Sequence, residues 1–311
     1  MQPVRSVLRL PDGSGLLGLM PAILGADAGV TAGGARRSSA LLGLKAITVM
    51  PGNHGTPYDS HQGAVLLFEA DHGRLLAIVD ASAVTRIRTA AVSAAATRVL
   101  ASPDAGDLAI LGSGVQAAAH LDAMCAVRPI TRVRVWSRNA ESARRFAAEA
   151  AAKLSIPVEA APDPRDAVRG ASIICTTTAA TEPVLHGAWI ASGAHVNAVG
   201  ACTPAARELD TEAVRRATLF VDQRAAALAE AGDLLIPIRE GALTPAHIAA
   251  EIGDVLAGTH PGRRASDEIT LFKSLGLAVE DLAAAARLYA NALVAGAGTT
   301  IRLGGLRDPR P

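Results

Sequence analysis

Up to Asp80 the apolar positions come in short runs: Leu17 to Met20, Leu44 to Met50, Ala64 to Phe68 and Leu75 to Val79. Pro-Asp-Gly-Ser-Gly, Pro-Gly-Asn-His-Gly and Ala-Asp-His-Gly separate them. Apolar runs of this length between turn-forming residues read as strands, and Ala70 to Gly73 reads as a hairpin loop. An antiparallel or mixed sheet is expected, with Gly25 to Ser39, rich in Gly, Ala and Arg, as a mobile loop. The pattern then turns helical from Ala83 to Leu100, with Ile87, Val92 and Val99 on the apolar side. Ser102-Pro103-Asp104-Ala105-Gly106 ends that helix and marks a domain boundary.

Beyond it, strands and helices alternate. Strands are predicted at Leu108 to Leu111, Val133 to Trp136, Ile173 to Thr176, His195 to Val199 and Leu219 to Val221. Helices are predicted at Val115 to Ala126, Ala140 to Ala152, Pro164 to Arg169, Thr211 to Ala217 and Ala225 to Ala231. Two more, Pro245 to Leu256 and Val279 to Ala295, precede a loose Gly-rich tail. This alternation predicts a parallel sheet with helices on both faces. No repeat of solenoid length is present.

Gly112-Ser113-Gly114-Val115-Gln116-Ala117 follows one strand without a gap and opens a helix, and a second strand begins about 20 residues on. A glycine at 112 allows a tight turn, Gly114 lets the backbone approach a pyrophosphate, and Ala117 permits close helix–strand packing. Amides at the helix start would face the diphosphate. A plain glycine turn in a βα unit is the alternative, but the context favours a Rossmann-type dinucleotide site. No acid stands between Asp122 and Glu141, where NAD enzymes of this fold usually place a carboxylate for the ribose. The second strand ends instead on Ser137-Arg138-Asn139, groups suited to a 2′-phosphate. NADP(H) is therefore favoured, with NAD(H) second; a solvated loop arginine is the plainer account of Arg138.

A length of 311 residues fits two domains of ordinary size. Half the residues are hydrophobic but only 3% are aromatic, which suits helices packed closely on a sheet. The net charge of +1 and the lack of a basic run interleaved with aromatics argue against nucleic acid as a partner. Apolar stretches fall short of the ~18 residues of a membrane span, so no membrane partner is expected. Cys125, Cys175 and Cys202 stand apart without ligand spacing, and the eight histidines form no metal signature. A reducing cytoplasm is expected, no metal, and no signal peptide.

Three cations stand in apolar or tightly turned surroundings: Arg5 before the first strand, Lys45 within a strand, and Arg88 on the first helix. Read alone, each is most simply a solvated charge. Lys45 could equally guard an edge strand against aggregation or point into a cleft.

Gly43-Leu44-Lys45-Ala46-Ile47-Thr48-Val49-Met50-Pro51-Gly52-Asn53 resembles the lysine strand of the ornithine cyclodeaminase/mu-crystallin family. His61-Gln62-Gly63 and Arg88-Thr89-Ala90-Ala91 resemble its next signatures. The Gly112–Ala117 loop, Glu208-Leu209-Asp210 and Phe272-Lys273-Ser274-Leu275-Gly276 follow in the same order, so the resemblance spans essentially the whole chain. It implies an α/β fold: a Rossmann-type domain over about 102–284, and a mixed-sheet α+β substrate and dimerisation domain over 1–101, completed by a C-terminal helix over about 285–311. It further implies a homodimer and a substrate cleft between the domains. Lys45 is implied as the catalytic lysine, Arg88 as the clamp on a substrate carboxylate, and Arg5 as a second carboxylate arginine. Cofactor contacts are implied for Thr89, the 112–117 loop, Ser137, Arg138, Asn139, Thr176, Thr177, Val199 and Ser274. Family members usually carry a further N-terminal segment before the position of Arg5, and this sequence is expected to be truncated or misassigned there.

Cyclodeaminases and related alanine dehydrogenases have an Asp soon after the strand that ends in Val-Gly. Here Val199-Gly200-Ala201-Cys202-Thr203-Pro204 puts Cys202 in its place. A neutral thiol is a poor carboxylate substitute, and ketimine reductases of the family have a small neutral residue there. Cys202 reads either as a substrate contact or as a small buried hydrophobe. The expected activity is NAD(P)H-dependent reduction of a cyclic imino acid, Δ1-pyrroline-2-carboxylate or Δ1-piperideine-2-carboxylate, to proline or pipecolate, with a small amino or imino acid as the partner. An ornithine cyclodeaminase, a trans-3-hydroxyproline dehydratase, or a non-catalytic NADP(H)-binding protein are the alternatives.

Overall fold

In the computed structural model, residues 1–26, 31–32, 35–36, 40–53, 55–301 and 303 are described. The chain divides into two units, Met1–Arg88 with Leu277–Pro311, and Thr89–Gly276. Side-chain alternation builds the first. Its strands are β1 (Ser6–Arg9), β2 (Leu16–Leu24), a ribbon of β3 (Thr31–Ala32) and β4 (Ala35–Arg36), β5 (Leu41–Val49), β6 (His61–Glu69) and β7 (Leu75–Asp80). The sheet runs β1-β2-β5-β6-β7 and is antiparallel at every pairing. Most of the loop expected over 25–39 lies outside the described residues. One face of the sheet sends Met20, Ala22, Leu41 and Leu67 against Ala278, Leu282 and Ala286 of the last helix. The other face stays apolar and half-exposed, carrying Leu17, Leu19, Ile23, Leu44, Leu66 and Ile78.

Helix α1 (Ala81–Leu100) begins in the first unit and ends in the second. There the elements are β8 (Asp107–Leu111), α2 (Val115–Val127), β9 (Arg132–Trp136), α3 (Ala140–Lys153), β10 (Val158–Ala160), α4 (Pro164–Val168), β11 (Ile173–Thr176) and β12 (His195–Ala198). After them come α5 (Thr211–Arg216), β13 (Thr218–Val221), α6 (Arg224–Glu230), α7 (Gly232–Arg239), β14 (Ile248–Glu251), α8 (Ile252–Leu256) and β15 (Thr270–Lys273). The final helix, α9 (Ala278–Ala295), belongs to the first unit. All pairings in the second sheet are parallel, in the order β10-β9-β8-β11-β12-β15-β13-β14. Alternate residues of β8 feed two cores: Leu108 and Ile110 pack with Ala117, Leu121 and Phe146, while Ala109 and Leu111 pack with Ile174, Val196 and Leu209. Strand order reverses between β8 and β11, the switch point at whose carboxyl ends such sheets bind ligands.

One expected helix is corrected. Pro245 to Leu256 is a 3₁₀ turn (Pro245–His247), then β14, then α8. Ile248, Ile252 and Val255 fit a helical period, but Ile248 and Ala250 also alternate inward, and pairing with β13 decides for the strand. Among the described residues no helix is long and apolar enough to cross a membrane.

Candidate active site

Lys45 shares the inward face of β5 with Leu41 and Ile47 and is only 3% exposed. Its ammonium donates to Thr85 Oγ1 at 2.6 Å and to Asp281 Oδ1 at 3.2 Å. Thr85 can accept because its own hydroxyl proton goes back along α1 to Ala81 O at 2.7 Å. The same Asp281 oxygen receives Arg88 Nε at 2.9 Å, and Arg88 Nη1 meets Glu280 Oε2 at 3.0 Å. Glycines permit this closeness. A Cβ on Gly43 would collide with Leu282, the residue after Asp281, and one on Gly63 would collide with the backbone of Ala46 and Ile47. Burial, then the Arg88 charge, pull the Lys45 pKa down to about 8; Asp281 resists, and Arg5 adds a smaller downward push. His61 is also lowered, by desolvation and then by Lys45. Arg5 is half-buried, and Gln2 accepts from the Val279 amide at 2.8 Å, near the start of α9.

In the second unit, Gly112 donates its N–H to Trp136 O at 2.7 Å. Its φ is +120°, and an added Cβ would lie 2.7 Å from Thr177 Oγ1. Gly114 caps α2, and a Cβ there would meet no protein atom within 4 Å. Val115 beside it is 62% exposed although apolar. The loop is thus tight underneath and open above, which is what a backbone-bound pyrophosphate requires. Two buried hydroxyls, Thr89 Oγ1 and Ser274 Oγ, have no hydrogen-bond partner among the described residues. Thr97, also on α1, bonds back to Ser93 O at 2.8 Å, as helical threonines commonly do; Thr89 does not. Open loop and orphan hydroxyls both fit a nicotinamide dinucleotide. At the end of β9, Ser137 is half-buried and Arg138 exposed, while Asn139 caps α3 by accepting from the Ser142 amide at 3.1 Å.

Glu208 ties together the carboxyl ends of β11 and β12. Its Oε1 accepts from Thr178 N (2.6 Å) and Oγ1 (2.7 Å), and its Oε2 from Thr176 Oγ1 (2.8 Å) and Gly200 N (2.6 Å). Burial, then Asp233, raise its pKa. Asp233 Oδ1 in turn holds the Glu208 and Leu209 amides, and Asp233 Oδ2 pairs with Lys273 Nζ at 2.9 Å. Although burial opposes it, Lys273 lies above its ordinary pKa because of Asp233, then Cys202 and Glu208. Asp222 takes the Leu275 and Gly276 amides at 2.6 and 2.7 Å, shaping the turn after Ser274.

Of the residues named from sequence, Lys45 and Arg88 share one carboxylate, and Arg5 is electrostatically coupled to Lys45. Thr177 Oγ1 bonds Leu111 O at 3.2 Å, and Thr176 serves Glu208, so both threonine hydroxyls are engaged within the protein. Buried Val199 accepts from Cys202 Sγ at 3.4 Å. Asp281, Asp233 and Asp222 were not foreseen, and Glu208 and Lys273 were seen only as parts of signatures without roles.

The sequence model of the ornithine cyclodeaminase/mu-crystallin family matches residues 1–296. The chain belongs to this family. Mouse ketimine reductase mu-crystallin is 43% identical over 289 residues, covering 93% of this chain and 84% of that protein. A Δ1-pyrroline-2-carboxylate reductase of Bacillus cereus is 42% identical over 261 residues, 84% of this chain and 80% of that protein. Among solved family structures, Thermococcus litoralis Δ1-pyrroline-2-carboxylate reductase with NADH and L-proline superposes with a TM-score of 0.89, at 36% identity over 96% of this chain and 89% of that one. An archaeal alanine dehydrogenase dimer with NAD gives 0.87 at 29% identity, over 98% and 89% of the two chains.

Proposed function

We propose that this protein reduces cyclic imino acids, Δ1-pyrroline-2-carboxylate or Δ1-piperideine-2-carboxylate, to proline or pipecolate. The observation that carries the reading is the buried Lys45–Asp281–Arg88 array, a guanidinium and an amine held on one carboxylate, with the amine's pKa lowered to about 8 by burial and then by the Arg88 charge. Support comes from the relatives, ketimine and pyrroline-carboxylate reductases. A reduced nicotinamide dinucleotide, when bound, supplies the hydride. The 112–117 loop would hold its diphosphate, and Thr89, Val199 and Ser274 its nicotinamide half. Arg88, assisted by Arg5, binds the substrate carboxylate. Lys45, with a pKa of about 8, holds a proton for the ring nitrogen and can release it within one turnover. Cys202 brings a thiol, not a carboxylate base, to the turn after β12, which favours reduction over an ammonia-releasing lyase.

NADPH is the preferred reductant in this reading, since Arg138 stands where a carboxylate would discriminate for NADH. We further place the dimer contact on the apolar outer face of the first sheet. The free thiols of Cys125, Cys175 and Cys202 suit a reducing cytoplasm.

The test follows NADPH and NADH absorbance with each imine at mildly acidic and neutral pH. Oxidation that is faster with NADPH, and an Arg138→Ser variant whose KM for NADPH rises about 10-fold or more with little change for NADH, are expected. No oxidation with either imine, together with ammonia release from ornithine, would replace the reductase with a lyase.

A further inference from the structure

An amine that must stay protonated, beside a guanidinium, around a substrate nitrogen that itself becomes cationic, raises a like-charge problem. The first unit contains its solution in Asp281. This carboxylate is 1% exposed, and its Oδ1 receives both Lys45 Nζ and Arg88 Nε. Its Oδ2 is buried and has no hydrogen-bond partner among the described residues. A buried carboxylate oxygen left unpaired is costly unless something else supplies a donor.

The charged groups around Lys45 come from several elements: Arg88 from α1, Asp281 with its neighbour Glu280 from α9, Arg5 from before β1, and His61 from β6. With His61 neutral, three cations face two carboxylates, and a substrate carboxylate brings the group to balance. Moving a proton from Lys45 to the ring nitrogen leaves that balance unchanged.

We propose that Asp281 is the anion that lets this site hold a cationic imine: Oδ1 positions Lys45 and Arg88, and Oδ2 accepts the N–H of the protonated ring nitrogen. The inference rests on the reductase reading. In the step it describes, an Nζ–H bond of Lys45 breaks as an N–H bond forms on the imine nitrogen. A reduced nicotinamide, when bound, would supply the hydride that the imine carbon takes up, and the C=N π pair would become the lone pair of a neutral amine on nitrogen. Lys45 regains its proton from solvent.

The experiment compares wild type with Asp281→Asn and Asp281→Glu in two readouts. The first is kcat/KM for Δ1-pyrroline-2-carboxylate against pH. With the anion removed, Lys45 loses the group that resists the lowering of its pKa, so the alkaline limb moves to lower pH in Asp281→Asn and stays near the wild-type position in Asp281→Glu. The second is calorimetric affinity for L-proline, which carries a ring ammonium, and for pyrrole-2-carboxylate, whose planar ring nitrogen carries no charge. Asp281→Asn should weaken L-proline at least 10-fold more than pyrrole-2-carboxylate. Equal weakening of both ligands, or an alkaline limb that does not move, overturns the proposal. If wild type oxidises neither cofactor with any imine, the reductase reading fails, while the affinity ratio still decides the role of Asp281. Should Asp281→Asn not fold, Asp281→Glu decides: a limb displaced from wild type despite the retained charge refutes the assignment.

Discussion

At the scale of single residues, Lys45 is where stability and the proposed catalytic role pull apart. Its pKa falls from 10.5 to about 8, chiefly through burial, so the folded chain holds that proton less tightly than the unfolded chain does. A cation depressed in this way weakens the fold at neutral pH, and the burden lifts as pH rises from about 8 to 10.5. Wild type should therefore gain on Lys45→Met across that window, by up to ~3 kcal/mol, from linkage at about 1.4 kcal/mol per pKa unit. Paired melting curves at neutral and alkaline pH read the difference, and a gap that stays constant refutes the buried-ammonium account. The same substitution should lower kcat by roughly 10²- to 10⁴-fold, the usual worth of a positioned acid or base. Both effects come from the one location: a lysine on the core face of a strand must be desolvated to meet Asp281, and desolvation is what tunes it.

Elements place these residues, and small side chains decide how closely the elements approach. Gly112 and Gly114 look alike in the motif yet should respond differently to alanine. Gly112 has a φ of +120° and Thr177 against it, so Gly112→Ala strains the turn between β8 and α2 and should cost about 1–3 kcal/mol. Gly114→Ala meets open space, so its melting temperature should hold while dinucleotide affinity falls at least ~10-fold. Cofactor titration of both variants beside thermal melts checks this, and a destabilised Gly114→Ala with normal affinity would reverse the assignment. Glu208 obeys a similar logic. Each of its oxygens accepts a backbone N–H, so in Glu208→Gln the amide NH₂ must face Thr178 N–H or Gly200 N–H. That variant should lose about 1–3 kcal/mol and loosen the ends of β11 and β12, despite its near-identical shape. The strands β2, β5, β6 and β7 and the βα alternation were legible because apolar period and turn residues are local signals. β10, with three residues, and α7, with Pro237 inside it, carry too little periodicity to be seen. The residues of the candidate site were legible to the same extent. Lys45, Arg88 and the 112–117 loop sit in motifs, whereas Asp281 gains meaning only through a hydrogen bond to a lysine 236 residues away in sequence. Asp233, likewise, matters only through the amides of a distant loop.

Over the whole molecule, the proposed dimer contact falls on the outer face of the first sheet. The registers align it in rows: Pro21, Leu44, Leu66 and Ile78 lie side by side across β2, β5, β6 and β7, with Ile23, Leu42 and Phe68 in the next row. Ile78 is 53% exposed and Ile23 42%, although the inward positions between them are closed over by α9. A contiguous apolar patch of this kind supports the proposed dimer contact. With a net charge of only +1, the chain has little long-range repulsion to keep two copies apart. A two-fold contact uses the same patch on both partners, so one substitution strikes the interface twice. Leu44→Lys combined with Leu66→Glu places charges at the centre of the patch on positions that pair across β5 and β6, where they can neutralise one another within a monomer. Sedimentation velocity should show wild type as a dimer and the double variant as a folded monomer. The Lys45–Asp281 pairing lies on the opposite face of the same sheet, so the monomer should keep the depressed Lys45 pKa and the pH-dependent stability that comes with it. A double variant that remains dimeric would move the interface to another surface, and one that unfolds would show that the face is needed for the sheet itself.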